Sequence, residues 1–222
     1  DITSGNLMKR GKIKKVFSLE VCLYLAIIAV ASIALVFVGN MGLLDSVFHV
    51  VSMASSTGHS YINMSALNVD AISIFIAVMV IGGCAFSMAG GIKVSRFIIV
   101  GKAIAQKVKM RFSKSRKKSE EQAEGSSEPL HDAETILLFI VFLFVFAFLF
   151  STIGVSFKDA LFEVGSALTT TGVSLGITTV TMPLAYKWLM IFAMIIGRIE
   201  VLTIFIALVP IGVKMYKRKR IA

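Results

Sequence analysis

The sequence predicts an all-α transmembrane protein made of two successive units, each composed of a membrane span, a short re-entrant pore loop and a second span. Three observations predict this fold class. The first is composition, because 56% of the 222 residues are hydrophobic, only 16% are charged, and the mean hydropathy is +0.85. These values are typical of a membrane protein. The other two are the placement of long apolar stretches and a repeated segment.

Four long apolar stretches occupy residues 19–38, 71–100, 135–153 and 184–209. A helix that crosses a bilayer needs about 20 predominantly apolar residues. All four stretches are long enough, although the second qualifies only if its glycine-rich interior is counted. We therefore predict four spans.

Most of the 23 Lys and Arg residues lie in three segments, 9–15, 93–118 and 214–220. Two spans separate each basic segment from the next, so all three fall on the same side of the membrane. Cytoplasmic loops carry an excess of Lys and Arg. We expect these segments and both termini to be cytoplasmic in a multi-pass protein of the cell membrane, close to anionic headgroups of the lipid bilayer. This topology explains the net charge of +10 without a nucleic-acid partner.

These patterns divide the chain into four parts. Residues 1–15 form a basic cytoplasmic segment, and the first unit follows at 16–101. Residues 102–133 form a charged linker, which we expect to be mobile because it cannot bury a core; a docking site for a soluble partner is the alternative. The second unit and its basic cytoplasmic tail occupy 134–222.

The repeat lies at the centre of each unit. The segment 45–60 recurs without a gap at 159–174, so Asp45 aligns with Asp159. Residues 41–53 and 156–168 are amphipathic, with these acidic residues in the first turn, where they suit the positive end of a helix. At about 1.5 Å per residue such helices reach only halfway across a bilayer. We predict two short pore helices, after which the chain turns back.

Each pore helix is followed by a short string of hydroxyl residues that ends in glycine, at 55–58 and 169–172. Irregular backbone at membrane depth is tolerated only where it is buried in protein or lines water. Carbonyl oxygens directed into a water-filled path can replace the hydration shell of a cation, and glycine permits the backbone angles that aim them. A simple glycine turn would explain one copy but not two.

Both strings, together with the glycine-rich run 82–94 and the Gly197-Arg198-Ile199-Glu200 sequence, resemble the membrane subunit of Trk/Ktr potassium-uptake systems. Members of that family have four such units around one pore, and this chain is similar to the third and fourth. Because the chain begins with Asp1, we expect it to be half of a longer or split subunit. The resemblance implies K⁺ transport down its electrochemical gradient, with K⁺ as the transported ion and no bound cofactor. It also implies the two missing amino-terminal units, a homodimer of the complete subunit and a cytosolic nucleotide-binding regulatory ring.

The resemblance also assigns residues to a filter and a gate. In the filter, K⁺ would lie at the carbonyls of Thr57, Gly58, Thr171 and Gly172. The gate would be an intramembrane loop within 82–91, at which this chain departs from the family pattern with Phe86 and Met88; a helix that is only kinked is the alternative. The residues expected in the filter are Ser56, Thr57, Gly58, His59, Thr170, Thr171, Gly172 and Val173, and those expected at the gate are Gly82, Gly83, Ala89, Gly90, Gly91 and Arg198.

Arg198 lies midway along the last apolar stretch, where a charge costs roughly 2.5–3.5 kcal/mol. Glu200 is two residues away and therefore on another face of the helix. We expect Arg198 to face the pore, and a structural ion pair with another helix is the alternative. His49 and His59 flank the first string, and we interpret both as solvated rather than as pH sensors.

The sequence contains no nucleophile–base pair, metal cluster or phosphate-binding loop, so we expect no enzyme. A Na⁺-conducting relative of the same family is the nearest alternative function. A non-conducting membrane scaffold is the alternative from another class, but it would need neither two aligned glycines nor an interrupted span.

Overall fold

The structure is a computed structural model that describes residues 2–85, 87–112, 128–152 and 154–199. The regular secondary structure of these residues is helical, with no strand among them. The helices are α1 (Ile2–Phe37), α2 (Leu43–Ala54), α3 (Val69–Ile81), α4 (Val94–Phe112), α5 (Glu128–Ser151), α6 (Phe157–Leu168) and α7 (Leu184–Ile199), with a 3₁₀ turn at Met64–Ala66.

Two helices in the described part of the chain are long and apolar enough to cross a membrane, over Leu19–Phe37 of α1 and His131–Ser151 of α5. The sequence predicted four spans. The second predicted span is divided in two, since α3 ends at Ile81 and α4 begins at Val94. The fourth is seen only as α7, because residues 200–222 lie outside the described residues. The structure therefore has a broken helix where a kinked one was the alternative.

The helices pack into two hydrophobic clusters. The first joins α1, α2 and α3 around side chains with no exposed surface, such as Leu35, Met53 and Phe75. The second joins α5, α6 and α7 around Phe150 and Leu168, together with Ile92 from the loop that precedes α4. Phe162 of α6 is buried in the first cluster, so the two halves of the chain share a core.

The two short helices lie where the repeat predicts them. The first begins at Leu43, two residues later than expected, because Gly42 has a non-helical backbone and serves as its N-cap. The second begins after Ser156, whose hydroxyl caps the helix by accepting a hydrogen bond from the Asp159 N–H. Such a cap stabilises a helix by about 1 kcal/mol. Both helices have an aspartate in the first turn, as predicted.

The predicted linker is more helical at its ends than we expected. Helix α4 continues to Phe112 and α5 begins at Glu128, so both ends of the segment 102–133 belong to helices. Residues 113–127 lie outside the described residues. Near this linker, Arg96 of α4 forms an ion pair with Asp132 of α5, with 3.6 Å between Nε and Oδ1.

Candidate ion filter and adjoining loop

The two glycine-containing strings have the same backbone conformation. Ser56 and Thr170 occupy matched positions, and each has φ of 54°, which is unusual for a residue with a side chain. The glycines two residues later, Gly58 and Gly172, have φ of 73° and 83°. Residues with a β-carbon rarely adopt such angles. The sequence repeat is therefore also a repeat of local structure.

Hydrogen bonds to each short helix hold these conformations. The N–H groups of Thr57 and Gly58 donate to the Ser52 carbonyl at 2.9 and 3.3 Å. In the second copy, the N–H groups of Thr171 and Gly172 donate to the Ser166 carbonyl at 2.9 and 3.4 Å. The matched donors and acceptors show that each string folds back against the end of its own helix.

The hydroxyl groups at these helix ends repeat as well. The Ser55 hydroxyl donates to the Val51 carbonyl at 2.7 Å and lies 2.7 Å from the Thr57 hydroxyl. The Thr169 hydroxyl donates to the Gly165 carbonyl at 2.8 Å and lies 2.8 Å from the hydroxyl of Thr171 in the same way. These bonds keep the side chains at 57 and 171 turned toward the helix ends.

The carbonyl oxygens of Thr57, Gly58, Thr171 and Gly172, unlike their N–H groups, form no hydrogen bonds to other described residues. Unpaired carbonyls are costly in a nonpolar environment, and oxygens of this kind can coordinate a cation in place of water. The carboxyl ends of α2 and α6 add partial negative charge beside them.

The two strings lie next to each other. The Ser56 hydroxyl donates to the Thr169 carbonyl at 3.2 Å. A β-carbon added to Gly58 would lie only 1.9 Å from the Thr171 oxygen, so only glycine fits there. A β-carbon on Gly172 would meet no atom within 4 Å. The structure thus brings Ser56 and Gly58 of the first string against Thr169 and Thr171 of the second, and the filter role of the predicted residues stays a prediction.

The loop between α3 and α4 folds back on the ends of its helices. The N–H groups of Ile92 and Lys93 donate to the carbonyls of Val80 and Ile81, at 2.9 and 3.0 Å. Gly82 has φ of 69°, and a β-carbon there would lie 2.1 Å from the Gly90 oxygen. Glycine at this position therefore permits the tight return of the chain.

This loop touches both strings. The Gly90 N–H donates to the Ser56 hydroxyl at 3.0 Å. A β-carbon on Gly90 would lie 2.1 Å from the Thr169 oxygen. Because Ser56 belongs to the first string and Thr169 to the second, the loop lies against both strings. Gly83, Ala89 and Gly91 belong to the same loop, whereas Phe86 lies outside the described residues and Met88 is exposed.

Arg198 contacts this loop from α7. Its guanidinium is exposed and donates to the Met88 carbonyl at 3.3 Å. Arg198, Met88 and Thr170 line a cavity of about 170 Å³ together with Gly90. Glu200 lies outside the described residues. Arg198 therefore lies beside the loop and lines this cavity. That it faces the pore stays a prediction.

Glu20 of α1 is a site residue that sequence reasoning missed. Its side chain is 3% exposed, and its Oε1 accepts a hydrogen bond from the N–H of Ala85 in the loop at 2.5 Å. The Lys93 ammonium donates a hydrogen bond to the Ala85 carbonyl at 3.4 Å. The position of Glu20, a carboxylate inside the apolar stretch 19–38, was the sequence signal that could have indicated this contact.

The two histidines lie in different environments. His59 is exposed, as expected. The interpretation of His49 as solvated was wrong, because its side chain is fully buried, with Nδ1 2.7 Å from the Asp45 carbonyl oxygen and the ring against Tyr61. The Tyr61 hydroxyl donates to the Asp45 carboxylate, and this hydrogen bond is the main reason that the pKa of Tyr61 is raised.

The fold and this site define the class of protein. Long apolar helices, an interrupted apolar helix and two irregular strings with unpaired carbonyls belong to a helical membrane protein. No group of His, Cys, Asp and Glu among the described residues could hold a metal ion.

Comparison with known proteins identifies the family. The TrkH family, described as cation transport proteins, matches residues 13–214, and the chain belongs to this family. An uncharacterized cation transporter of Methanocaldococcus jannaschii is 30% identical over 82% of this chain and 39% of its own length. The Trk system potassium uptake protein TrkI of Halomonas elongata is 29% identical over 73% of this chain and 35% of its length.

The fold has also been seen in a solved structure. The potassium transporter TrkH from Vibrio parahaemolyticus aligns with a TM-score of 0.66 at 19% identity, over 87% of this chain and 43% of that chain. The chain spans about two fifths of the length of the proteins that it matches. The predicted all-α fold and the resemblance to Trk potassium-uptake proteins are confirmed.

Proposed function

We propose that this chain forms half of a cation-conducting pore selective for K⁺, in which the strings 55–58 and 169–172 line the ion path. The observation that carries the proposal is the set of four unpaired carbonyls at Thr57, Gly58, Thr171 and Gly172. Their N–H groups are bonded to the short helices, so the oxygens remain available for an ion. A relative named as a potassium uptake protein supports K⁺ rather than Na⁺ as the transported ion.

In this proposal each half of the chain is a span, a pore helix and a second span. The first comprises α1, α2 and the interrupted α3–α4, and the second comprises α5, α6 and α7. A complete pore needs two further units, which fits the share of its relatives' length that this chain covers. The side of Gly172 that is open in this structure is where those units would complete the filter.

The same proposal assigns the surroundings of the pore. The complete subunit lies in the cell membrane with its basic segments on the cytoplasmic side. It forms a homodimer, and a cytosolic nucleotide-binding ring regulates it. The loop 82–91 acts as the gate of this path, an assignment supported by its contacts with both strings.

Conduction then depends on exchange of ligands. A K⁺ ion loses its water as it enters and gains carbonyl oxygens of the strings, assisted by the negative ends of α2 and α6. The ion next meets the loop and the Arg198 charge beside it. Movement of the loop opens the path, while the hydrogen bonds behind the strings keep the oxygens in place.

Gly172→Ser tests the proposal, and Gly154→Ser is a matched control. Both glycines have positive φ, 83° and 95°, and a β-carbon at either would meet no atom within 4 Å. The two substitutions therefore impose similar backbone strain, but only Gly172 belongs to the string. In the complete protein in proteoliposomes, we expect Gly172→Ser alone to lower K⁺ over Na⁺ discrimination. Equal discrimination in both variants would reject the filter.

A further inference from the structure

Glu163 is a buried carboxylate that the sequence did not single out. It lies in α6 and is 2% exposed. Its Oε1 accepts hydrogen bonds from the Ser174 hydroxyl at 2.6 Å and the Leu175 N–H at 2.8 Å. Its Oε2 accepts a hydrogen bond from the Thr178 hydroxyl at 2.7 Å. One side chain thus binds three residues of the chain that leaves the second string, which we call the outer segment (174–178).

The three hydrogen-bond donors around Glu163 fit an ionised carboxylate. Both of its oxygens act as acceptors, as they do in an ionised carboxylate. Hydrogen bonds to a charged group are roughly twice as strong as neutral ones, and a buried charge requires such partners. The outer segment is therefore attached to α6 through a negative charge that lies behind the second string.

The first copy attaches its own outer segment in another way. There the Ser52 hydroxyl donates to the His59 carbonyl at 2.8 Å, and His49 occupies the position matched to Glu163. The serine position therefore makes this attachment in the first copy, and the position of His49 and Glu163 makes it in the second. Within the described residues, His49 Nε2 and the hydroxyl of Ser166, which matches Ser52, are both buried without a hydrogen-bond partner.

We propose that Glu163 is a positioning residue of the second filter, which fixes the outer segment and supplies a negative charge that strengthens K⁺ binding at the outer end. This inference rests on the proposed function. It makes the two halves of the filter unequal, since a neutral hydroxyl holds the first and an anion holds the second. Removing the charge weakens K⁺ binding, and removing the attachment also releases the backbone that selects the ion.

Two variants separate these effects. Glu163→Gln has almost the same shape and keeps an oxygen that can accept from Leu175, but it has no charge. For this variant we expect the KM for K⁺ uptake to rise roughly three- to tenfold, as for a unit charge at several ångströms in a partly screened site, with little change in maximal rate. Glu163→Ala also removes the attachment, so we expect lower K⁺ over Na⁺ discrimination in addition.

Asp159→Asn is the matched control. It removes one negative charge from the same helix, one turn earlier. The Asp159 side chain contacts Ser156 and Lys158 but not the outer segment. We expect its KM for K⁺ to equal that of the unchanged protein. A general effect of charge on α6 would instead raise the KM in both variants and would overturn the inference.

The experiment measures K⁺ uptake kinetics, Na⁺ competition and thermal stability of the complete protein in proteoliposomes, with Gly172→Ser measured in parallel. A role of Glu163 in stability alone predicts a lower melting temperature with unchanged KM and discrimination in Glu163→Gln, and this result would overturn the inference. If Gly172→Ser alters discrimination while both Glu163 variants do not alter transport, only the inference fails. If Gly172→Ser leaves discrimination unchanged, the proposed function itself fails.

Discussion

Ser56 links the proposed gate to the proposed filter through its side-chain hydroxyl. It accepts a hydrogen bond from the Gly90 N–H at 3.0 Å and donates one to the Thr169 carbonyl at 3.2 Å. The Ser56→Ala change removes both bonds. Because alanine keeps the β-carbon, the left-handed backbone at this position is strained to a similar degree in both proteins.

The magnitude follows from the bond between Ser56 and the loop, since the bond to Thr169 joins the two strings instead. A neutral intramolecular hydrogen bond contributes about 1 kcal/mol net. Its loss therefore destabilises the closed position of the loop by about 1 kcal/mol. Since about 1.4 kcal/mol corresponds to a tenfold change in an equilibrium constant, the ratio of open to closed loop rises about fivefold. Glu20 and Arg198 still bind the loop, so it is not released completely.

The assay is resting efflux of Rb⁺ from proteoliposomes that contain the complete protein. We expect faster efflux from the Ser56→Ala variant, because the closed loop has lost its hydrogen bond to the first string. Ser73→Ala is the control, because the Ser73 hydroxyl donates within its own helix to Val69 at 2.8 Å and is exposed. Resting efflux that is equal in both variants would refute the coupling of loop and filter through this hydroxyl.

Two further substitutions test the other contacts of the loop. For Arg198→Ala we expect faster K⁺ flux at unchanged thermal stability, since a positive charge 4 Å from the ion opposes it by roughly 4 kcal/mol at an effective dielectric of 20; an unstable variant would instead favour a structural ion pair. For Glu20→Ala we expect faster resting flux and a melting temperature lowered by a few degrees, because the partly buried Ala85 N–H loses its acceptor, a loss that costs about 1–3 kcal/mol when the group is fully buried. Unchanged resting flux in this variant would show that the contact is structural only.

The sequence predicted those features that depend on neighbouring residues. The positions of α2 and α6 follow from short amphipathic runs with an aspartate in the first turn, and the break after Ile81 follows from the density of glycines. The matched backbone of Gly58 and Gly172 follows from the repeat. In each case the signal lies within one stretch of chain, where local geometry decides the result.

Contacts between distant residues could not be predicted in the same way. Glu20 and Ala85 meet only because α1 packs beside the loop. The burial of His49 depends on Phe75 of α3 and on Tyr61, and the repeat aligns His49 with Glu163 without indicating that the two side chains have different roles. Side chains of this kind acquire their function from packing, which a single sequence does not record.

The central claim is that a cation binds to carbonyl oxygens of both strings. The most direct measurement is anomalous diffraction from the complete protein with Rb⁺ or Tl⁺ in place of K⁺. We predict anomalous density within coordination distance of the Thr57, Gly58, Thr171 and Gly172 oxygens, and its loss in competition with excess K⁺. Density confined to other parts of the protein, with none between the two strings, would contradict this account.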